Sequence, residues 1–263
     1  MLKLKKSLGQ NFLIDKNIIK KIISQENLKD KNVYEIGPGS GNLTNNILIE
    51  KPRHLTLIEK DERFCELLKN KFVNIKNINL HNSDILKYNL NNINQKDIII
   101  FGNLPYNIST QILVNFINVK NWPPFFKKII FMFQKEVADR IIAQPNSKQY
   151  GRLSILTNYR LDITNSFKIS KNSFFPKPAV DSKVIVFKPK NKLNYNILNL
   201  KNLEKISNLF FSGKRKMINK PFKKIFKNYK SIAEKLQIDL SLRPSQLSFE
   251  KYYRIVEFYE KLK

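Results

Sequence analysis

The chain predicts an α/β domain built on a mostly parallel sheet, followed by a smaller, strongly basic helical domain. Three observations carry this expectation. Short apolar runs alternate with helical patterns through about residue 135; a polar segment, Lys188-Pro-Lys-Asn-Lys192, ends the alternation; beyond it, apolar residues recur at spacings of three and four. Continuous apolar runs too short for helices suit strands covered on both faces, as helical crossovers between parallel strands require. At 263 residues, 42% of them hydrophobic, the chain can bury one large core and one small one.

In chain order, Val33–Ile36, Leu55–Ile58, Ile78–Leu80 and Ile98–Phe101 read as buried strands, with helices or turns between them. Lys128–Phe133 is a fifth strand, followed by an amphipathic helix near Gln134–Ile142. Phe167–Ile169 and Lys183–Phe187 are two later strands, the second with period-two alternation, suited to an antiparallel edge on the sheet. The expected domains are therefore 1–188 and 189–263, and no repeat of solenoid period interrupts them.

Charge narrows the partners. The chain carries 48 Lys and Arg against 21 Asp and Glu, a net +27. From Lys183 to Lys235 there are 15 basic residues against two Glu, so +13 falls in that stretch alone. Neutralising a phosphate backbone is the leading use of such an excess. The abundance of Lys, Asn and Ile also fits drift toward AT-rich codons, a second source of the charge. A single cysteine, Cys65, excludes an internal disulfide and a cysteine-based metal site, and its helical context suggests a core position. His54 and His81 lack ligand spacing, so no metal is expected. No apolar stretch reaches the ~18 residues of a membrane span, and no secretory core follows the basic start. A cytoplasmic protein without a membrane partner is expected.

Glu35-Ile-Gly-Pro-Gly-Ser-Gly41 follows the first strand and opens a helix, and Gly37, Gly39 and Gly41 let the backbone turn tightly beside a ligand. The spacing is not that of the dinucleotide fingerprint, and no Lys-Ser/Thr pair makes it a P-loop. Glu59 closes the second strand, placed to accept both hydroxyls of a ribose; Asp84 follows the third, placed to accept from an adenine amino group. Ribose and adenine acids beside a glycine turn without a phosphate grip suit S-adenosyl-L-methionine better than NAD or ATP.

Directly after the Ile98–Phe101 run comes Gly102-Asn-Leu-Pro-Tyr106. Asn103 offers a side-chain oxygen, Leu104 a carbonyl whose direction Pro105 helps fix, and Tyr106 a ring for stacking. Those groups suit gripping a nucleobase amine for alkyl transfer. Phe174-Phe175, flanked by Pro176 and Pro178, reads as a loop in which at least one ring faces the substrate.

With these motifs together, the chain resembles the bacterial small-subunit rRNA adenine N6,N6-dimethyltransferases, the KsgA/RsmA family, over nearly its whole length. Ser7-Leu-Gly-Gln-Asn-Phe-Leu13 is similar to the family motif that folds over the methionine end of the cofactor. Gln134–Arg140, Tyr150–Ser154 and Phe174–Ser182 are similar to further family segments. The resemblance implies a Rossmann-like class I methyltransferase sheet in the first domain and a basic RNA-binding helical second domain. It implies cofactor contacts from Asn11, Leu13, Gly37, Glu59, Asp84 and Asn103, and catalysis at Asn103, Leu104, Pro105 and Tyr106. Substrate contacts fall to Tyr106, Phe174, Phe175, Lys214, Arg215 and Lys216, with Lys220, Lys223 and Lys224 tracking phosphates. The implied reaction is dimethylation of two adjacent adenosines in a 3′-terminal hairpin loop of 16S rRNA in an immature small subunit; nothing in the sequence requires more than a monomer. The related large-subunit enzymes of macrolide resistance share the glycine loop; Phe211–Asn219 and Leu242–Ser248 resemble the small-subunit type instead. A catalytically silent assembly factor and a DNA adenine methyltransferase are the rival classes.

Overall fold

The structure, a computed structural model, describes residues 11–262. Two compact units divide it: residues up to 138 together with 162–189, and residues 139–161 together with 190 onward.

The first unit holds β1 (Phe12–Leu13), α1 (Lys16–Ile23), β2 (Asn32–Ile36), α2 (Asn42–Ile49), β3 (His54–Glu59), α3 (Glu62–Lys71) and β4 (Ile78–Asn82). Then follow β5 (Ile98–Asn103), α4 (Ser109–Ile117) and β6 (Phe126–Gln134), and later β7 (Leu161–Ile169), β8 (Phe174–Phe175) and β9 (Ser182–Pro189). α5 (Lys135–Ile141) spans the point at which the chain leaves this unit.

Seven strands form one sheet in the order β4-β3-β2-β5-β6-β9-β7. The pairs β2·β3, β2·β5, β3·β4 and β5·β6 are parallel, and β9 runs antiparallel to β6. The central strands are buried along almost their whole length, which is why their sequences are mainly apolar, Glu35 and Thr56 being buried polar exceptions. The expectation that Ile78–Leu80 is buried needs correction: β4 is the edge strand, half-buried at Ile78 and Leu80 and exposed at Asn79, His81 and Asn82. Strand order reverses between β2 and β5, and a ligand crevice is expected outside the carboxyl ends of strands at such a point. The five parallel strands expected from the sequence are present, each extended by one to three residues. β7 starts six residues before the expected Phe167, because Asp162–Ser166 is an exposed, polar edge with no hydrophobic pattern to betray it.

A two-stranded ribbon, β1·β8, was not legible in the sequence; it pairs Phe12 with Phe175 and Leu13 with Phe174. The Asp15 side chain caps α1 by accepting from the Asn17 and Ile18 amides, and its second oxygen accepts from Ser173 Oγ at 3.1 Å. The start of the chain's described portion is thereby tied to the β8 segment.

The second unit contains α6 (Arg152–Arg160), α7 (Leu200–Phe211), α8 (Asn219–Ile225), α9 (Tyr229–Lys235) and α10 (Phe249–Lys261). Its core joins Tyr150, Ile155 and Tyr159 to Leu203, Phe210, Phe222 and Tyr252. Tyr253 donates from its hydroxyl to the Ile155 carbonyl at 3.0 Å, and Tyr159 to the Tyr195 carbonyl at 2.8 Å. The expected division at 188/189 therefore needs correction: 139–161 belongs with the helices. Its apolar side chains complete their core, a pairing across sequence that composition along the chain does not reveal. No helix among the described residues is long and apolar enough to cross a membrane.

Candidate active site

At the carboxyl ends of β2, β3 and β5 lies a cleft of about 200 Å³, bounded by Asn11, Gly37, Glu59, Asp84 and the 103–106 segment. The glycine turn is its floor. Gly37 donates to the Ile58 carbonyl at 2.9 Å, and Gly39 to Glu59 Oε2 at 3.1 Å. Gly39 sits at φ +54°, and a Cβ there would lie 2.4 Å from Phe12 Cε1. Only glycine permits both that backbone conformation and that approach.

Glu59 is buried at the end of β3, and its Oε1 accepts from the Asp61 amide at 2.8 Å. Burial pushes its carboxyl above the ordinary range, while the amide donors of Asp61, Gly39 and Lys60 oppose that rise. Asp84 is held differently: Oδ2 pairs with Lys60 Nζ at 2.8 Å and Oδ1 accepts from the Leu86 amide. The hydrogen bond from Lys60 holds the Asp84 carboxyl below its usual value. The cleft thus presents two acids, a close-packed glycine turn and the apolar side chains of Ile36, Ile58 and Ile85. Such a set fits an adenosine bearing a compact zwitterionic tail.

The target side of the cleft is built by the turn after β5. Asn103 donates from Nδ2 to the Asn11 carbonyl at 3.0 Å, which turns its Oδ1 away from that partner. Leu104 is buried beneath the turn, its side chain filling the space that a Cβ on Gly102 would need. Ile108 donates to the Pro105 carbonyl and Ser109 Oγ to the Tyr106 carbonyl, fixing the turn. Tyr106 lines the cleft with its hydroxyl 2.7 Å from Ser182 Oγ.

The structure thus brings Asn11, Gly37, Glu59, Asp84, Asn103, Leu104, Pro105 and Tyr106 to one cleft. Leu13 and Phe174 stand apart from it. Leu13 packs in the sheet core, and its carbonyl accepts from Asn42 Nδ2 at 2.9 Å. Phe174 needs correction as a substrate contact: it is 3% exposed within the same core, whereas Phe175 is 52% exposed. Strand alternation in β8 sends adjacent rings to opposite faces. Ser7–Gln10 of the N-terminal motif lie outside the described residues.

Phe12, Lys60 and Ser182 were not singled out from the sequence. Lys60 could have been, as the neighbour of Glu59. Phe12 and Ser182 reach their partners only through folding.

In the second unit, Lys214 donates to the carbonyls of Lys148 and Tyr150 at 2.6 and 3.1 Å, so its ammonium serves the fold. Arg215 and Lys216 line an open groove of about 870 Å³ together with Lys220 and Arg243.

Compared with known proteins, the chain matches over residues 1–261 the family model described as Ribosomal RNA adenine dimethylase. It is 48% identical over 261 residues to Ribosomal RNA small subunit methyltransferase A of Pelagibacter ubique (strain HTCC1062), covering 99% of this chain and 98% of that relative. A solved dimethyladenosine transferase from Plasmodium falciparum shares the fold at a TM-score of 0.78 and 24% identity, covering 95% of this chain and 98% of that one. The 23S rRNA methyltransferase ErmE shares it at 0.70 and 22% identity, covering 95% and 99%. The two structures speak to the fold alone.

Proposed function

The chain belongs to the ribosomal RNA adenine dimethylase family, and from that premise we propose that it dimethylates N6 of two adjacent adenosines in a 3′-terminal hairpin loop of small-subunit rRNA. The substrate is an immature small ribosomal subunit, and the enzyme acts as a monomer in the cytoplasm. S-adenosyl-L-methionine, when bound, supplies an electrophilic methyl group on its sulfonium.

The residues of this chain do the rest by holding and aiming. Glu59 would hold the ribose hydroxyls, Asp84 the adenine edge, and Asn11 and the glycine turn the methionine portion. An adenine N6 is a poor nucleophile because its lone pair is delocalised into the ring. Asn103 Oδ1 and the Leu104 carbonyl accept its two N–H groups, which draws the nitrogen toward tetrahedral geometry and aims the lone pair. Pro105 fixes the direction of the Leu104 carbonyl, and Tyr106 stacks on the flipped base, a contact worth about 1–3 kcal/mol. No strong base is required, since the product ammonium is acidic enough to lose its proton to water. Phe175, exposed at the paired end of β8, is the second aromatic available to RNA. Arg215 and Lys216 track phosphates.

The observation that carries this reading is the Asn103 amide, oriented by the Asn11 carbonyl so that an acceptor remains for the target amine. Methyl transfer from labelled cofactor to immature small subunits tests it. The wild type yields N6,N6-dimethyladenosine, and Asn103→Ala loses at least about 10²-fold in rate while still binding cofactor. Absence of transfer to small subunits by a cofactor-loaded wild type would overturn the substrate assignment and direct the test to large-subunit RNA.

A further inference from the structure

Tyr106 is held at both ends by buried serines. Ser109, at the first turn of α4, donates from Oγ to the Tyr106 carbonyl at 3.1 Å. Ser182, at the first position of β9, places its Oγ 2.7 Å from the Tyr106 hydroxyl. Both serines are fully buried. A tyrosine ring turns about two side-chain bonds, and its hydroxyl lies on the axis of the second, so anchoring the backbone at one end and the hydroxyl at the other fixes the direction of the ring axis.

Ser182 is itself firmly placed. It lies opposite Gln134 in the β6·β9 register. The Asp181 carbonyl beside it accepts from the Lys135 amide at 2.9 Å. The Asp181 carboxylate accepts from the Lys171 amide at 3.0 Å and pairs with Lys168 at 2.8 Å. Tyr106 therefore takes its orientation from strand β9, 76 residues away in sequence, and not only from its own turn.

We propose that Ser182 is a positioning residue for the target base, holding the axis of the Tyr106 ring at the place where the adenine stacks. This rests on the reading of Tyr106 as the stacking platform. A disordered ring would make each productive encounter rarer while leaving the cofactor side of the cleft untouched, because Gly39, Glu59 and Asp84 make none of these contacts.

The test pairs NMR of the full-length protein carrying ring-labelled tyrosine with steady-state transfer to immature small subunits. Wild type, Ser182→Ala, Tyr106→Phe and the double variant are compared, Tyr106→Phe also assigning the resonance. Ser182→Ala is expected to weaken the nuclear Overhauser contacts of the Tyr106 ring with its surroundings about twofold or more and to lower kcat/KM about fivefold, mainly through KM, as the loss of one neutral hydrogen bond implies. Cofactor affinity stays unchanged. Tyr106→Phe, which keeps the ring and loses the hydroxyl, gives the same kinetic loss, and the double variant is no worse than either single one. Unchanged Overhauser contacts of the ring, additive losses, or a fall in cofactor affinity that matches the fall in activity would overturn the proposal. If the ring's contacts weaken but the wild type does not methylate small subunits, Ser182 still positions Tyr106 and the substrate assignment fails.

Discussion

Replacing Gly39 by alanine tests the cofactor floor most directly. The residue sits at φ +54°, where a side chain costs about 1–2 kcal/mol. The new Cβ would also lie 2.4 Å from Phe12 Cε1, closer than any allowed contact, and 3.0 Å from Cδ1, at the tight limit. Phe12 cannot yield easily, because its ring meets Phe64 edge-on at 5.4 Å and its backbone pairs with Phe175. Forcing it aside adds about 1–3 kcal/mol, for a total of roughly 2–5 kcal/mol. Gly37→Ala is the internal control: φ is +67°, yet the nearest atom to its Cβ is the Asn103 carbonyl oxygen at 3.8 Å, so only the backbone cost applies. At about 2–4 °C per kcal/mol, Gly39→Ala should lower Tm by roughly 4–20 °C and Gly37→Ala by clearly less. Moving the turn also pulls the Gly39 amide from Glu59, so calorimetry should find cofactor affinity down about tenfold or more in Gly39→Ala. A Gly39→Ala protein with wild-type Tm and affinity, or a Gly37→Ala protein that is the worse of the two, would refute this account of the floor.

Glu35 and the basic cluster offer two further checks. Glu35 is fully buried, accepts from Thr44 Oγ1 at 2.6 Å, and burial pushes its carboxyl from an ordinary 4.5 up to about 8. The folded chain therefore binds that proton more tightly than the unfolded one. The stability this confers is complete below pH 4.5 and lost as pH rises through about 8. Thermal melts from pH 5 to 9 should show wild-type Tm falling relative to Glu35→Gln, and parallel profiles would count against it. In the second unit, Lys214→Ala should cost about 1 kcal/mol of stability, since its ammonium satisfies two carbonyls. Arg215→Ala and Lys216→Ala should stay within about 0.5 kcal/mol of wild type. Each should instead reduce the salt dependence of RNA binding by about 0.7–0.9 in log–log slope, read by filter binding across salt concentrations. A Lys214→Ala variant that loses RNA affinity with unchanged Tm would reverse the assignment.

Much of this protein was legible from its residues in order. The parallel strands announce themselves as short, mainly apolar runs, because burial on both faces of the central ones leaves little room for polar alternation, while the edge strand β4 does alternate. Glu59, Asp84 and the Asn103–Tyr106 turn each sit at the end of such a run, and strand ends in this topology converge on one crevice. Local sequence thus determined the sheet, the crevice and the chemical character of the groups lining it. It did not determine which neighbour of a pair faces that crevice. Phe174 and Phe175 are the same residue type side by side, and only the pairing of β8 with β1 sends the first into the core. Nor did it reveal that 139–161 completes the helical core, that Lys214 is tied to carbonyls, that Asn11 orients the Asn103 amide, or that Ser182 meets Tyr106. Each of these is a contact between residues far apart in sequence, and neither propensity nor periodicity encodes a partner at that range. Tertiary packing alone chose them, because the partner of a buried polar group is whatever donor or acceptor the closed fold leaves within about 3 Å.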